Sequence, residues 1–400
     1  MPLIALWKSD PVTVAQFTIE KIVSFAGNGK LSDSSVCSDE LREYLSGANT
    51  KTLAKCAEYC LSEKFEKSGQ ILQDIVKESG RRLDYEVSNG LYAGKKNAVG
   101  NDGLWISPEK HSVVVEVKTT DAYRIPLDTI AKYRSELEAS KVIEGRSSIL
   151  IVVGREDTGE LEAQVRGSRH AWDIRLISVE ALIKLVLIKE NSEEVETGKK
   201  IRGVLVPIEY TRVDGLVEVV FAAASDAQEQ VSQLVESEVG SLGVLRSFSG
   251  YSTDSTVIQS IRESIVVALN SKFKVALVTK SRAMHWTSDQ NFRIALAVSK
   301  KYDSGNDYWY AFHPRWLSFL SEGVTGIFVL GCTNLDRVFG IPVTELSKVL
   351  PKLNVTERPD VGTYWHVKLD LNDLDQMVLN VPKDEAINLE KYAISLSSTL

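Results

Sequence analysis

Between residues 51 and 80 the apolar positions of "TKTLAKCAEYCLSEKFEKSGQILQDIVKESG" recur at helical spacing. Leu53, Ala57, Cys60 and Leu61 form one stripe. A second phase starts after Gly69 with Ile71, Leu72, Ile75 and Val76, and Gly80 is expected to end the helix. Upstream, "AGNGKLSDSSVCSDELREYLSG" reads as a loop leading into a short helix that Ser38 can cap, with Glu40 and Glu43 in its early turns. After residue 80 the period changes to two. "RLDYEVSNGLYAGKK" predicts a hairpin turning at Asn89-Gly90. "NDGLWIS" and "SVVVEVKTT" predict strands, and "LDTIAKYRSELEAS" a helix with Ile130, Tyr133 and Leu137 along one side. "SSILIVVG" has the continuous apolar run of a strand buried on both faces, and "SVEALIKLVLIK" predicts a closing helix. This succession implies an α/β layer arrangement with a mixed sheet.

From about residue 190 the pattern breaks. "KENSEEVETGKK" is charged and poor in apolar residues, and "SDAQEQVSQLVESEVGSL" reads as a polar helix. Beyond Tyr251, "FKVALVTK", "DYWYAF", "TGIFVLGC" and "YWHVKLDL" predict strands, with helices at "TVIQSIRESIVVAL" and "HPRWLSFL". The expected organisation is an N-terminal helical segment over 1–50, an α/β domain over 51–190, a linker with a helix over 191–248, and an α+β domain over 249–400.

The 400 residues are 44% hydrophobic and 25% charged, an ordinary globular balance. No apolar run is long enough to span a bilayer, and "MPLIALWKSDPVTV" lacks the basic start and long apolar core of a signal peptide, so a cytoplasmic protein with no membrane partner is expected. The four cysteines lack histidines at zinc-site spacing and are expected to be buried or idle thiols. A net charge of −7 gives no global support for nucleic-acid binding, so any such contact needs a local basic surface or metal ions.

The sharpest chemical signal is "NDGLWISPEKHSVVVEVK". Asp102 lies in a turn, and strand alternation places Glu116 and Lys118 on one face of the next strand. Two carboxylates offer hard oxygen ligands to Mg²⁺, with the backbone carbonyl of Val117 a further candidate. Mn²⁺ is expected to substitute. Lys118 can orient or deprotonate a bound water, or stabilise charge on a phosphate. A surface ion pair at a strand end is the plain alternative; the apolar run before Glu116 argues against it, because a buried carboxylate needs a partner. Other chemistry fits less well: the sequence has no Walker-type ATP motif, no Gly-x-Ser-x-Gly elbow and no H-E-x-x-H pair.

Asp, a turn, then Glu-x-Lys, set between a helix and hairpin on one side and a helix and buried strand on the other, resembles the PD-(D/E)XK nuclease superfamily. The resemblance covers roughly Glu66 to Leu185. The later "VRGSRHAWDIRLISVEALIKL" is similar to the closing strand and helix of bacterial restriction-type members. It implies a restriction-endonuclease-like fold and a Mg²⁺-dependent DNA endonuclease with Asp102, Glu116 and Lys118 catalytic, in restriction or phage defence, with a homodimer as the expected assembly. The family pattern also has an acid on the helix before the hairpin. Here Gln73 falls near that position with Asp74 beside it: Gln73 can hold a metal-bound water but supplies no charge, Asp74 can substitute, or the role is missing, which leaves a one-metal site. Downstream, Thr119, Thr120 and Arg124 are candidate phosphate contacts, and Tyr133 or Arg134 stands where members carry a polar accessory residue.

The last region mixes aromatic residues with Lys and Arg. Trp309, Arg315 and Trp316 are candidate nucleic-acid contacts, by stacking on bases and holding phosphates, although "YWYAFHPRW" alternates enough that one side must be core. This region is expected to select the target. Two other readings stay open: a nuclease gated by a small molecule bound at the C-terminal region, and an inactive nuclease-like domain kept for binding DNA or scaffolding.

Overall fold

The computed structural model describes residues 3–63, 65–92, 100–119, 124–154, 159–192, 195–207, 255–301, 308–358, 362–372, 374–382 and 384–396. The chain is mixed α/β and divides into two compact units, Met1–Ala224 and Ser225–Leu400. Among the described residues no helix is long and apolar enough to cross a membrane.

The first unit opens with helices α1 (Leu3–Ser9), α2 (Pro11–Val14), α3 (Ile19–Phe25), α4 (Val36–Gly47), α5 (Thr50–Ser62) and α6 (Ser68–Arg82). A five-stranded sheet follows in the order β1 (Glu86–Asn89), β2 (Gly103–Ile106), β3 (Ser112–Lys118), β4 (Ser147–Val153), β5 (Ile174–Ser178). The first two pairings are antiparallel and the last two parallel. Parallel neighbours need crossovers, supplied by α7 (Leu127–Ala139) and α8 (Gly159–Arg166). Helices α9 (Val179–Asn191) and α10 (Val195–Leu205) close the unit. β4 is buried from Ser148 to Val153, as its unbroken apolar run demands.

Local details depart from the sequence reading. Ser35, not Ser38, caps α4, its hydroxyl accepting from the Ser38 amide at 3.1 Å. Gly80 does not end α6, which runs to Arg82; its missing side chain leaves room for Trp105, whose ring lies 2.7 Å from where a Cβ would stand. Asn89-Gly90 is not a two-residue turn. Asn89 pairs with Gly103 and Ser88 with Leu104, so β1 skips the next residues and takes β2 as its partner.

The boundary expected near residue 50 falls inside this unit. Arg82 at the end of α6 donates to Thr50 at 2.7 Å and to Glu78 at 3.1 Å, and Thr50 donates to Glu190 of α9 at 2.6 Å. These groups are buried, so each needs the others. The expected linker begins with α10, whose Arg202 grips Glu109 of the β2–β3 connection at 2.5 and 3.0 Å. The polar helix expected over 225–242 lies outside the described residues.

The second unit carries α11 (Ser255–Phe273) and a six-stranded sheet of β6 (Val278–Thr279), β7 (Met284–Trp286), β8 (Phe292–Ser299), β10 (Thr325–Cys332), β11 (Arg337–Pro342) and β16 (Ala393–Ser395). A second sheet joins β9 (Tyr308–Phe312), β12 (Val355–Arg358), β13 (Gly362–Leu371), β14 (Met377–Asn380) and β15 (Ile387–Asn388). Helices α12 (Pro314–Ser321) and α13 (Val343–Val349) complete it. "FKVALVTK" is not one strand: Phe273 ends α11 and only Val278–Thr279 pair. All four cysteines are free and buried, and burial pushes the Cys56 thiol up to about 12.

Candidate functional site

α6, β2 and β3 converge on Asp102. Its backbone N–H donates to Val115 of β3 at 3.2 Å, which starts the β2–β3 ladder one residue before β2. Its carboxylate is held on both oxygens: Gln73 Nε2 donates to Oδ1 at 2.8 Å and the Val117 N–H to Oδ2 at 2.7 Å. Glu116 and Lys118 share a face of β3, as strand alternation requires, with Lys118 Nζ 2.5 Å from Glu116 Oε1. Glu116 is 8% exposed.

Electrostatics mark the same spot. Burial, then the nearby Glu116 charge, pushes the Asp102 carboxyl up to about 6, against the pull of the Val117 amide, Lys118 and Lys77. Such a like-charge pair away from water is costly unless a cation compensates it. Two buried acceptor oxygens, Glu116 Oε2 and Gln73 Oε1, have no hydrogen-bond partner among the described residues. Unpartnered buried oxygens in a native fold call for a missing donor or ion. Together with Asp102 they are oxygen groups of the kind that a hard divalent cation retaining waters takes. No group of three or more His, Cys, Asp or Glu side chains gathers among the described residues, so the set is two acids and an amide carbonyl.

The two readings of the α6 position separate. Gln73 faces Asp102. Asp74 faces elsewhere, with Arg42 Nε at 3.2 Å, Lys77 Nζ at 2.8 Å and the Tyr92 hydroxyl donating to it. Val117 is engaged through its N–H, and its side chain is core.

Of the accessory candidates, Thr119 stands beside the first turn of α6, its methyl 3.7 Å from where a Gly69 Cβ would lie. Tyr133 reaches the approach to Asp102: its hydroxyl is 3.0 Å from where a Gly100 Cβ would stand. Arg134 is bound to Asp173 at 3.0 Å, which anchors α7 to the segment before β5. Arg124 is exposed, and Thr120 lies outside the described residues. In the second unit, Trp316 is 7% exposed and packs on Phe312, His313 and Phe328, so its ring is core rather than a stacking platform. Trp309 is half-buried and donates to His366 at 3.0 Å; Arg315 is half-buried too.

Sequence reasoning passed over Lys77, a lysine 1% exposed one helical turn beyond Gln73, whose stem passes 3.6 Å from where a Gly103 Cβ would lie. Its spacing from Gln73 was the available signal. Arg42 and Tyr92 carried no comparable signal.

No protein-family model matches the chain, and no curated protein matches it.

Proposed function

We propose that the chain is a Mg²⁺-dependent nuclease of restriction-endonuclease-like fold that hydrolyses phosphodiester bonds of DNA, serving restriction or phage defence. The observation that carries the reading is the grouping of Asp102, held by Gln73, with Glu116 and Lys118, and the two buried oxygens of Gln73 and Glu116 that have no partner among the described residues. The sheet order and the helix ahead of it agree with the expected fold.

Asp102 and Glu116 would hold the cation, and Gln73 Oε1 would accept from one of its waters. The ion supplies polarisation of the phosphoryl oxygen and a lowered pKa for bound water. Gln73 Nε2 and the Val117 amide hold Asp102 in place, one on each oxygen. Lys118, 30% exposed at its side chain, is the group that can reach an incoming phosphate and either steady the attacking water or stabilise the developing charge.

Mn²⁺ titration by calorimetry tests the site directly. Wild type is expected to bind, and Asp102→Asn and Glu116→Gln to lose about tenfold or more in affinity. Equal binding by all three proteins would place the metal elsewhere.

A second reading, the same nuclease gated by a small molecule, draws on the second unit. There an open cavity of ≈ 300 Å³ is lined by Asn354, His366, Lys368, Asn380 and Asp384. A nuclease silent until a nucleotide-like activator is added would favour it.

A further inference from the structure

Asp102 sits at the end of the connection between β1 and β2, and the other end of that connection is tied to the N-terminal helices. Gly90 lies flush on the Asp102 backbone. Its N–H donates to the Asp102 carbonyl at 3.2 Å, and a Cβ there would stand 2.1 Å from the Asn101 carbonyl oxygen. Two residues on, Tyr92 is held at both ends. Its N–H donates to Asp33 Oδ1 at 2.8 Å, and its hydroxyl donates to Asp74 Oδ2. Asp74 is itself fixed by Arg42 of α4 and by Lys77, and both cations lie over the Tyr92 ring, at 5.2 and 5.3 Å from its centroid.

A carboxylate buried to 2% exposure between two cations and a hydroxyl has little freedom to move. Whatever it holds is held firmly. Gly90 transmits that hold to Asp102, because backbone rests on backbone with no side chain between them.

We propose that Tyr92 is a positioning residue of the candidate site: through Asp33 and the Asp74 hub, the N-terminal helices fix the Asp102 carboxylate against Gln73 and Val117. This rests on the reading of Asp102 as a metal ligand only for its consequence, not for the positioning itself. The first helices are then a working part of the site.

The test uses the full chain, with Tyr92→Phe and Asp33→Ala singly and together. Hydrogen exchange resolved to single amides reads the position of Asp102, and Mn²⁺ titration reads the consequence. In the double variant the Asp102 and Val117 amides should exchange about tenfold faster, while Leu150 and Ile151 in β4 keep wild-type rates. Mn²⁺ affinity should fall about ten- to hundredfold. Lys184→Gln, at an exposed position of α9 outside the hub, should leave both readouts near wild type. Wild-type exchange at Asp102 and Val117 in the double variant overturns the proposal, as does an equal acceleration in β4, which would mean general loosening. If wild type itself binds no Mn²⁺, the metal reading fails and exchange alone decides the positioning claim.

Discussion

Gln73→Glu restores the acid that the resemblance expects on α6 and turns a donor into a like charge. At present Gln73 Nε2 donates to Asp102 Oδ1 at 2.8 Å, with Glu116 close behind. A glutamate oxygen in that place repels Asp102. If the pair opens to about 4 Å at an effective dielectric of about 20, the repulsion is about 4 kcal/mol. The lost hydrogen bond adds about 1 kcal/mol. Protonation limits the cost: Asp102, whose carboxyl is already pushed up to about 6, takes up a proton at pH 8 for about 3 kcal/mol. Protonation is the cheaper route, so the cost at pH 8 without metal is about 3 kcal/mol. The folded-state pKa of the new acid is raised, so the penalty is present above its ordinary value and fades as pH falls towards it. In EDTA at pH 8 the melting midpoint of the first unit should fall by about 6–12 °C. Mg²⁺ or Mn²⁺ should return most of that loss, because three carboxylates bind a divalent cation more tightly than two. Thermal denaturation followed by circular dichroism, with and without metal and again at pH 5, measures all three terms. A variant as stable as wild type in EDTA, with no larger metal-induced rise, would refute the placement of Gln73 beside Asp102.

Gly80→Ala drives a methyl into the Trp105 ring, 2.7 Å from its nearest atom, and should cost about 1–3 kcal/mol in urea unfolding; an unchanged midpoint would contradict the packing. Arg202 holds the Glu109 carboxyl down to about 2. Because the folded value lies below the unfolded one, this stabilisation is complete above about pH 4.5 and is lost as pH falls towards 2. Acid titration of Glu109→Gln should therefore show a shallower loss of stability in that window than wild type; identical slopes would mean that the ion pair contributes nothing. Trp316, buried, should resist acrylamide quenching, whereas Trp172, 65% exposed, should be quenched readily; single-tryptophan replacements to Phe assign the signals, and easy quenching of Trp316 would overturn its place in the core.

What was legible in the sequence was what the chain states locally. β4 announces itself by an unbroken apolar run, and β3 by a β-branched run ending Glu-x-Lys. β9 shows its alternation in burial, residue by residue, from Tyr308 to Phe312. Local signals misled where a distant partner decided the geometry. Asn89-Gly90 has the composition of a tight turn, yet β1 pairs with a strand beginning at Gly103. Gly80 has the composition of a helix end, yet its small size serves Trp105 across the layer. β8 escaped because Arg293 and the polar residues ahead of it blur the start of its apolar run. The site divides the same way. Asp102, Glu116 and Lys118 lie within one short stretch and could be read in line. The hub at Asp74 could not, because Arg42 is 32 residues away and the Asp33 that holds Tyr92 is 59 residues from it. A choice between Gln73 and Asp74 needed the direction each side chain takes from α6, which adjacency in sequence does not give.

Incubating the full-length protein with supercoiled plasmid, in Mg²⁺ and in EDTA, beside Asp102→Asn, Glu116→Gln and Lys118→Met, tests the central claim most directly. Conversion to nicked or linear DNA by wild type in Mg²⁺ is expected, with none in EDTA and a loss of several powers of ten in each variant. Cleavage that persists in EDTA, or any of the three variants cutting at the wild-type rate, would contradict the assignment.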